Sequence, residues 1–348
     1  MKKGMATFLL LIQCLCLPHV AYAEYTAAEE GVAEEYYINL LYSNRFDSDE
    51  LNYEAASRFA EMVTERTAGH VTVEFYGMNE QDCYKKSVIH VVEGENWIGL
   101  EEPSILADWV GDCAVLVGPM LYNNDEEYNY IMESEPVKHI KESLAKANIH
   151  VLDTHYTSGF RSVFTNFEIH SPSDLNGKVL RCTPATLEIR TVGCLGAKPM
   201  PMSFIGCLTA ISNGDVDGFE GFTSTLAGSG APYELVKKVS LTKHFIESNW
   251  LFMAQNVYEE MPAKWRDILD TCALECGMWE QKIHAEEETE LIRTLETEYG
   301  IAWNDVDIDA FTVACAPVFD WIAEEYGAEP NLYHQLIELI YSYRSVTE

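Results

Sequence analysis

Gly159-Phe160-Arg161, Asp174-Leu175-Asn176-Gly177-Lys178-Val179-Leu180-Arg181, Leu195-Gly196-Ala197-Lys198-Pro199-Met200-Pro201-Met202 and Asn213-Gly214-Asp215-Val216-Asp217-Gly218-Phe219-Glu220 follow one another in a single stretch of the chain. Lys178 to Cys182 reads as a strand, Leu187 to Leu195 as a short helix stopped by Gly196, and Phe160 to Thr165 as a further strand. Two arginines, Arg161 and Arg181, therefore sit on strands beside short turns. A guanidinium fork matches the two oxygens of a carboxylate, stays charged at any accessible pH and binds best where water is excluded. The stretch reads as a recognition site for an organic anion.

The order and spacing of these four pieces resemble the DctP-type extracytoplasmic solute receptors of tripartite ATP-independent periplasmic (TRAP) transporters, whose pattern runs G-x-R, DLxGxKxR, LGAxPxPM, then GxVDGxE. Weaker resemblance extends from about Tyr37 to the last helix, through Glu65 to Val73 and Leu241 to His244. The resemblance implies an α/β, two-lobe periplasmic-binding-protein fold (type II-like), with a long bracing helix and a ligand cleft between the lobes. It implies a first lobe of residues 24–158 plus 247–286 and a second of 159–246 plus 287–348.

Outside that stretch, β and α patterns alternate as in parallel sheets covered by helices. Tyr36 to Tyr42, Val71 to Phe75, Trp97 to Leu100 and Ile149 to Leu152 read as strands. Helices are expected near 51–67, 87–92, 137–147, 308 onward and 331 onward. The pattern from Pro262 to about Tyr299 is one long Glu-rich helix, with Trp265, Ile268, Leu269, Met278 and Ile292 as its expected inner face.

Lys2 and Lys3, the apolar run Ala6 to Leu17 and the exit Ala21-Tyr22-Ala23 have the form of a secretory signal peptide, residues 1–23, which places the mature protein in the periplasm. Cys14 and Cys16 raise a lipoprotein alternative, but Gln13 stands where such signals carry a small residue. Loss of residues 1–23 removes two lysines and no acids, taking the formal charge from −33 to −35. Nucleic acid and anionic lipid are disfavoured as partners. At ordinary salt the repulsion of an anionic ligand is screened beyond about 8–10 Å, so capture must be local. Of the eight later cysteines, Cys272 and Cys276 share a helical face that suits neither a relaxed disulfide nor a closed metal site. The eight read as buried small apolar residues, with no pairing assigned, no metal and no cofactor.

The resemblance assigns roles residue by residue. Arg181 matches the arginine that pairs bidentately with the ligand carboxylate, and Arg161 the one that approaches the same end; either could instead form a structural salt bridge. Phe204 matches an aromatic residue against the ligand, or is core. Glu102 matches an acidic position that contacts ligand in sialic-acid receptors, and could also cap a helix or pair with Arg161. Asn44 matches a polar contact after the first strand. Gly221 and Pro184 replace asparagines that hydrogen-bond ligand in those receptors, and Gly206-Cys207-Leu208 replaces Glu-Val-Tyr. Asp217 and Glu220 suit a structural role at the turn. A pocket stripped of donors favours a less hydroxylated ligand. Trp97, Trp250 and Phe160, if they line it rather than the core, would suit an aromatic or branched monocarboxylate or a 2-oxo acid.

The function these readings imply is a monomeric receptor that hands a small organic carboxylate to the membrane permease subunits of a TRAP transporter. A periplasmic sensor feeding a membrane signalling protein has the same binding chemistry. A secreted enzyme built on His155, His244, Ser158 or Cys182 is disfavoured, because G-x-S-x-G, H-E-x-x-H, the P-loop and the dinucleotide-binding glycine motif are all missing from the sequence.

Overall fold

Alternation of strand and helix begins with the first described residues. β1 (Ile38–Ser43), α1 (Leu51–Arg66), β2 (Val71–Tyr76), α2 (Lys85–Val92) and β3 (Trp97–Glu101) follow in turn, and β1 pairs in parallel with both β2 and β3. The computed structural model describes residues 36–226, 233 and 235–347; the expected signal peptide lies outside them. α1 buries Ala55, Ala56, Phe59, Ala60 and Val63. Each buried side chain of Phe or Val size contributes about 1.5–3 kcal/mol.

After α3 (Pro103–Leu106), α4 (Asp125–Met132) and α5 (Glu135–Lys146) comes β4 (Ile149–Thr165), a single strand of 17 residues. The two separate strands expected at 149–152 and 160–165 are its ends. What hides the continuity is a series of register shifts against β8 (Lys238–Ala254), which is equally long and was not anticipated as a strand. At one of these shifts Gly159 adopts φ +84° and a Cβ there would collide with the His284 ring, so the G of the G-x-R motif is a backbone requirement.

The rest of the second half is β5 (Val179–Cys182), α6 (Thr186–Cys194), β6 (Lys198–Pro201), α7 (Phe204–Asn213) and β7 (Gly218–Gly221). One sheet results, in the order β2-β1-β3-β8-β4-β7-β5-β6. β4 and β8 run antiparallel through its middle, and β9 (Ala302–Asn304) pairs with the start of β8.

Apolar packing divides about these two long strands. One cluster gathers residues from Leu40 to Tyr156 with Ile246 to Cys276. Two smaller clusters lie on β5 and α6 and on the β7 and α7 side. After α8 (Gln255–Glu260), the 37-residue helix α9 (Ala263–Tyr299) spans from the first cluster through Trp265, Leu269 and Cys276 to the third through Leu295. At a rise of 1.5 Å per residue it is about 55 Å long. Its inner face is Trp265, Leu269, Cys272, Ala273, Cys276, Gly277 and Glu280; the expected Met278 is 55% exposed. The small residues let α9 lie directly on β4, where a Cβ at Gly277 would meet the Asp153 carboxylate and His155.

α10 (Ile308–Tyr326) divides its contacts, with Phe311 and Cys315 in the second cluster and Val318, Phe319 and Ile322 in the first. α11 (Leu332–Thr347) places Leu332, Leu336 and Ile340 in the first cluster. The end of the chain, expected with the second lobe, places most of its buried apolar side chains in the first cluster. All eight described cysteines are free thiols, seven of them buried.

Gly277→Ala is expected to destabilise the protein by about 1–3 kcal/mol through overpacking where α9 meets β4. Urea unfolding of the purified variant against wild type measures it.

Candidate functional site

Parallel strands deliver their C-terminal ends to a common edge, and the residues just beyond those ends are where α/β sheets place ligand contacts. Here β1 is followed by Asn44 and Arg45, β3 ends in Glu101 and is followed by Glu102, β5 carries Arg181 near its end, β6 is followed by Phe204, and β7 ends in Glu220 and Gly221. The long strands add Arg161 from β4 and Glu247 and Asn249 from β8.

Five ion pairs link these side chains into a ladder of alternating charge. Glu101 lies 3.2 Å from Arg45, Arg45 3.7 Å from Glu247, and Glu247 3.8 Å from Arg161. Arg161 lies 2.6 Å from Glu220, which is 4.0 Å from Arg181. The tightest rung is bidentate: Arg161 Nε and Nη2 donate to the two Glu220 oxygens at 2.6 and 2.7 Å, and Nη2 also reaches Thr183 Oγ1 at 3.2 Å. The Thr183 amide donates to Glu220 Oε1 as well.

Burial alone would raise the Glu220 carboxyl, but His244 and Arg161 outweigh it and hold it far below the usual carboxylate range. His244, completely buried with its Nδ1 on Thr242 Oγ1, is lowered chiefly by burial. At the other end of the ladder Glu101 is buried and accepts from the Tyr84 amide, from Ser87 Oγ and from Arg45.

Arg181 differs from its neighbours. Its Nε donates to Met202 O at 2.9 Å and its side chain is 9% exposed, yet its two terminal nitrogens donate no hydrogen bond among the described residues. Phe204 lies half-buried at the start of α7, between Phe219 of the core and the Arg181 guanidinium, 5.7 Å from the ring centre. Arg161 faces Phe222 at 4.8 Å, and Arg45 faces Phe46 at 4.5 Å and Tyr84 at 5.8 Å.

Several expected site residues stand elsewhere or do other work. Arg161, expected to approach the ligand carboxylate, has its fork filled by Glu220. Trp250 is fully buried with Nε1 on Tyr128 Oη, and Trp97 stacks on His90 with Nε1 on Ser43 Oγ; both belong to the first core cluster rather than to a cleft wall. Asn44 is fully buried and its Oδ1 accepts the Phe46 amide, shaping the turn that presents Arg45.

Gly221 ends β7 opposite Ser162, where a Cβ would stand 3.2 Å from Thr225 Oγ1. Asp217 takes the Val179 amide and Lys178 Nζ, tying β5 to the turn before β7. Glu102 stands at the start of α3 without capping it, accepts only Ser104 Oγ at 2.8 Å, and pairs with no arginine within 4 Å among the described residues. Burial first, and Glu247 second, push its carboxyl up to about 7.

Arg45, Glu188, Glu247 and Phe222 escaped the sequence reading. Arg45 and Phe222 had a signal, since each directly follows a position already singled out. Glu247 had none until β8 was known to cross the sheet beside β4. Of the residues considered for an enzyme, His155 is engaged by Asp153 at 2.8 Å, and burial pushes the Cys182 thiol up to about 11, where it is a resting thiol at neutral pH.

A sheet crossed by two long strands, with helices on its faces, is the two-lobe α/β fold of periplasmic solute receptors. The chain matches the model of the bacterial extracellular solute-binding protein family 7, DctP, over residues 42–325, and belongs to that family. It is similar to a solute-binding protein of Chromohalobacter salexigens, 25% identical over 79% of this chain and 82% of that protein. It is also similar to the 2,3-diketo-L-gulonate-binding periplasmic protein of Escherichia coli, 22% identical over 75% and 79%. The crystal structure of a TRAP periplasmic solute-binding protein from Desulfovibrio salexigens is 29% identical with a TM-score of 0.75, covering 90% of this chain and 99% of that one. A TRAP receptor from Ochrobactrum anthropi, 18% identical, shares the fold at a TM-score of 0.79 over 89% and 97%. The family is one of extracytoplasmic receptors. Among the described residues no helix is long and apolar enough to cross a membrane.

Removing the Glu220 carboxylate leaves buried Arg161 with only the longer Glu247 contact at 3.8 Å, so Glu220→Ala should cost about 3–5 kcal/mol in urea unfolding. The raised Glu102 carboxyl binds its proton more tightly in the folded than in the unfolded state. Its contribution to stability is therefore full below about 4.3 and is lost as pH rises through about 7. Glu102→Gln should raise Tm relative to wild type at pH 8, with the difference shrinking toward pH 4.5 in calorimetry.

Proposed function

We propose that this receptor captures a small organic carboxylate on Arg181, closes its lobes around it and presents it to a TRAP-type permease, without chemical change to the ligand. The observation that carries this reading is the asymmetry of the two motif arginines: Glu220 satisfies Arg161, whereas the largely buried Arg181 fork makes no hydrogen bond at its terminal nitrogens among the described residues and has Glu220 only at 4.0 Å. A charge kept this dry, with its counter-ion at that distance, gains from an anion that its terminal nitrogens can hydrogen-bond directly. Arg161, held rigid by Glu220, then serves the ligand as a fixed neighbour rather than as its main partner.

The ligands bound in related structures support an anion. They include L-galactonate, L-fuconate, galacturonate and glucuronate. The 29% identical receptor was solved with diglycerolphosphate, which favours a second reading in which a phosphate takes the same fork.

In this reading the first lobe is about 36–158 with 247–286 and the last helix, the second about 159–246, and α9 braces both. The crossing strands β4 and β8 carry the hinge, and a ligand favours the closed form only by its difference in affinity for the two states. The aromatic faces available to it are Phe204, Phe222, Phe46 and Tyr84 in place of the two tryptophans.

Arg181→Ala should reduce carboxylate affinity at least a hundredfold in titration calorimetry while the variant still unfolds cooperatively. A wild-type ligand at a hundred times its Kd should add about 2.7 kcal/mol of stability in a thermal-shift screen of carboxylates, sugar acids and phosphate esters. Retained affinity in Arg181→Ala would overturn the assignment.

A further inference from the structure

Glu280, at the middle of α9, is an acid buried without a cation. Its side chain is completely shielded where α9 meets α1 and β4, and it forms no ion pair within 4 Å among the described residues. Oε2 accepts the Thr157 amide at 3.0 Å. Oε1 has a single partner among the described residues, Asn52 Nδ2 at 3.4 Å, and that nitrogen already donates to Thr157 O at 3.0 Å and reaches Ser158 Oγ at 3.4 Å. Asn52 Oδ1, on the same amide, is buried and receives no donor among the described residues. Two acceptors thus stand short of a donor, and one proton would serve both.

The groups around Glu280 make ionisation harder still. Asp125 at the start of α4, Asp153 on β4 and Glu287 further along α9 all disfavour another negative charge. The basic groups on the same elements are turned to other partners. His155 of β4 is on Asp153 at 2.8 Å, Arg58 of α1 lies over the Trp279 ring at 5.0 Å, Arg66 of α1 pairs with Glu275 at 2.6 Å, and His284, one turn along α9, packs against Gly159. Burial keeps the nearby Tyr42 and Tyr156 phenols and the Cys276 thiol neutral. Burial first, with the acids behind it, outweighs the Thr157 hydrogen bond and holds the Glu280 carboxyl well above the usual carboxylate range.

We propose that Glu280 carries a proton in the folded receptor, its Oε2 accepting the Thr157 amide and its Oε1–H donating to the Asn52 carbonyl, so that a neutral acid clamps the turn where β4 crosses between the halves of the sheet. The proposal does not depend on which ligand the cleft takes. Thr157 is held on every side: its amide by Glu280, its carbonyl by Asn52, and its Oγ1 by the Gly159 amide at 3.0 Å and Glu247 O at 3.4 Å. The clamp therefore joins α9 and α1 to the two strands that carry Arg161 and Glu247 into the ladder. Loss of the proton would set a bare charge among Asp125, Asp153 and Glu287, and the clamp should loosen as pH rises. A carboxyl that holds its proton more tightly folded than unfolded contributes fully below about 4.3, the unfolded value, and loses that contribution as pH rises through its folded value.

The test uses the mature protein labelled with isotopic glutamate. The Glu280 carboxyl resonance, assigned through its own backbone, should keep its protonated shift at pH 7. Glu280→Gln reproduces one acceptor and one donor, so it should unfold in urea like wild type at pH 4.5 and become the more stable of the two above that. Its advantage in the unfolding constant should grow about tenfold per pH unit until the folded carboxyl itself titrates. In hydrogen exchange, Glu280→Ala should lower the protection of the Thr157 and Gly159 amides at least about tenfold, whereas Glu280→Gln should retain it.

A wild-type resonance that titrates near the ordinary glutamate value would overturn the proposal. So would a Glu280→Gln variant that fails to fold, that leaves the two amides as unprotected as Glu280→Ala does, or whose advantage over wild type does not change with pH.

Discussion

The pair between Arg161 and Glu220 is the interaction on which the site depends. Both are buried, both come from the middle of the sheet, and their two parallel hydrogen bonds fix β4 against β7 at the edge where ligand would enter. Charge-assisted bonds of this geometry are among the stronger in proteins, and in a site with little water they also determine which arginine is left available. With Arg161 satisfied, Glu220 can offer Arg181 only a longer approach at 4.0 Å. The protein thereby keeps one fork rigid and the other unspent.

From that rung the charges alternate outward to Arg45 and Glu101 at the first half of the sheet. Each member has a neighbour of opposite sign, and beyond the close rungs the contacts are 3.7–4.0 Å. The long strands and α9 supply the stiff frame around it. α9 reaches from Trp265 in the first cluster to Leu295 in the third, and at its middle the Glu280 carboxyl accepts the Thr157 amide two residues before the Gly159 bulge. The point where β4 crosses between halves is therefore held from behind.

Much of the second half was legible from sequence because its turns impose chemistry on particular residues. Gly159 must take a positive φ, and Asp217 must hold β5 to its neighbour, so the motif is partly a record of backbone demands. The short strands and their helices were legible through periodicity, and the long helix through its uninterrupted Glu-rich pattern. The crossing strands were not. Their register shifts interrupt the alternation that marks a strand, and β8 is buried along almost its whole length, so no polar face announces it.

The sequence alone determined the alternation of strands and helices, the two arginines beside their turns and the acidic excess, since each depends on residue type and short-range spacing. Only the tertiary structure decided that Glu220 takes the Arg161 fork while the Arg181 terminal nitrogens donate no hydrogen bond among the described residues, that Trp97 and Trp250 are core, and that the last helix returns to the first cluster. Those are questions of which charges and which apolar faces meet between segments well separated in the chain. Burial and pairing are properties of the packed whole, and no local pattern carries them.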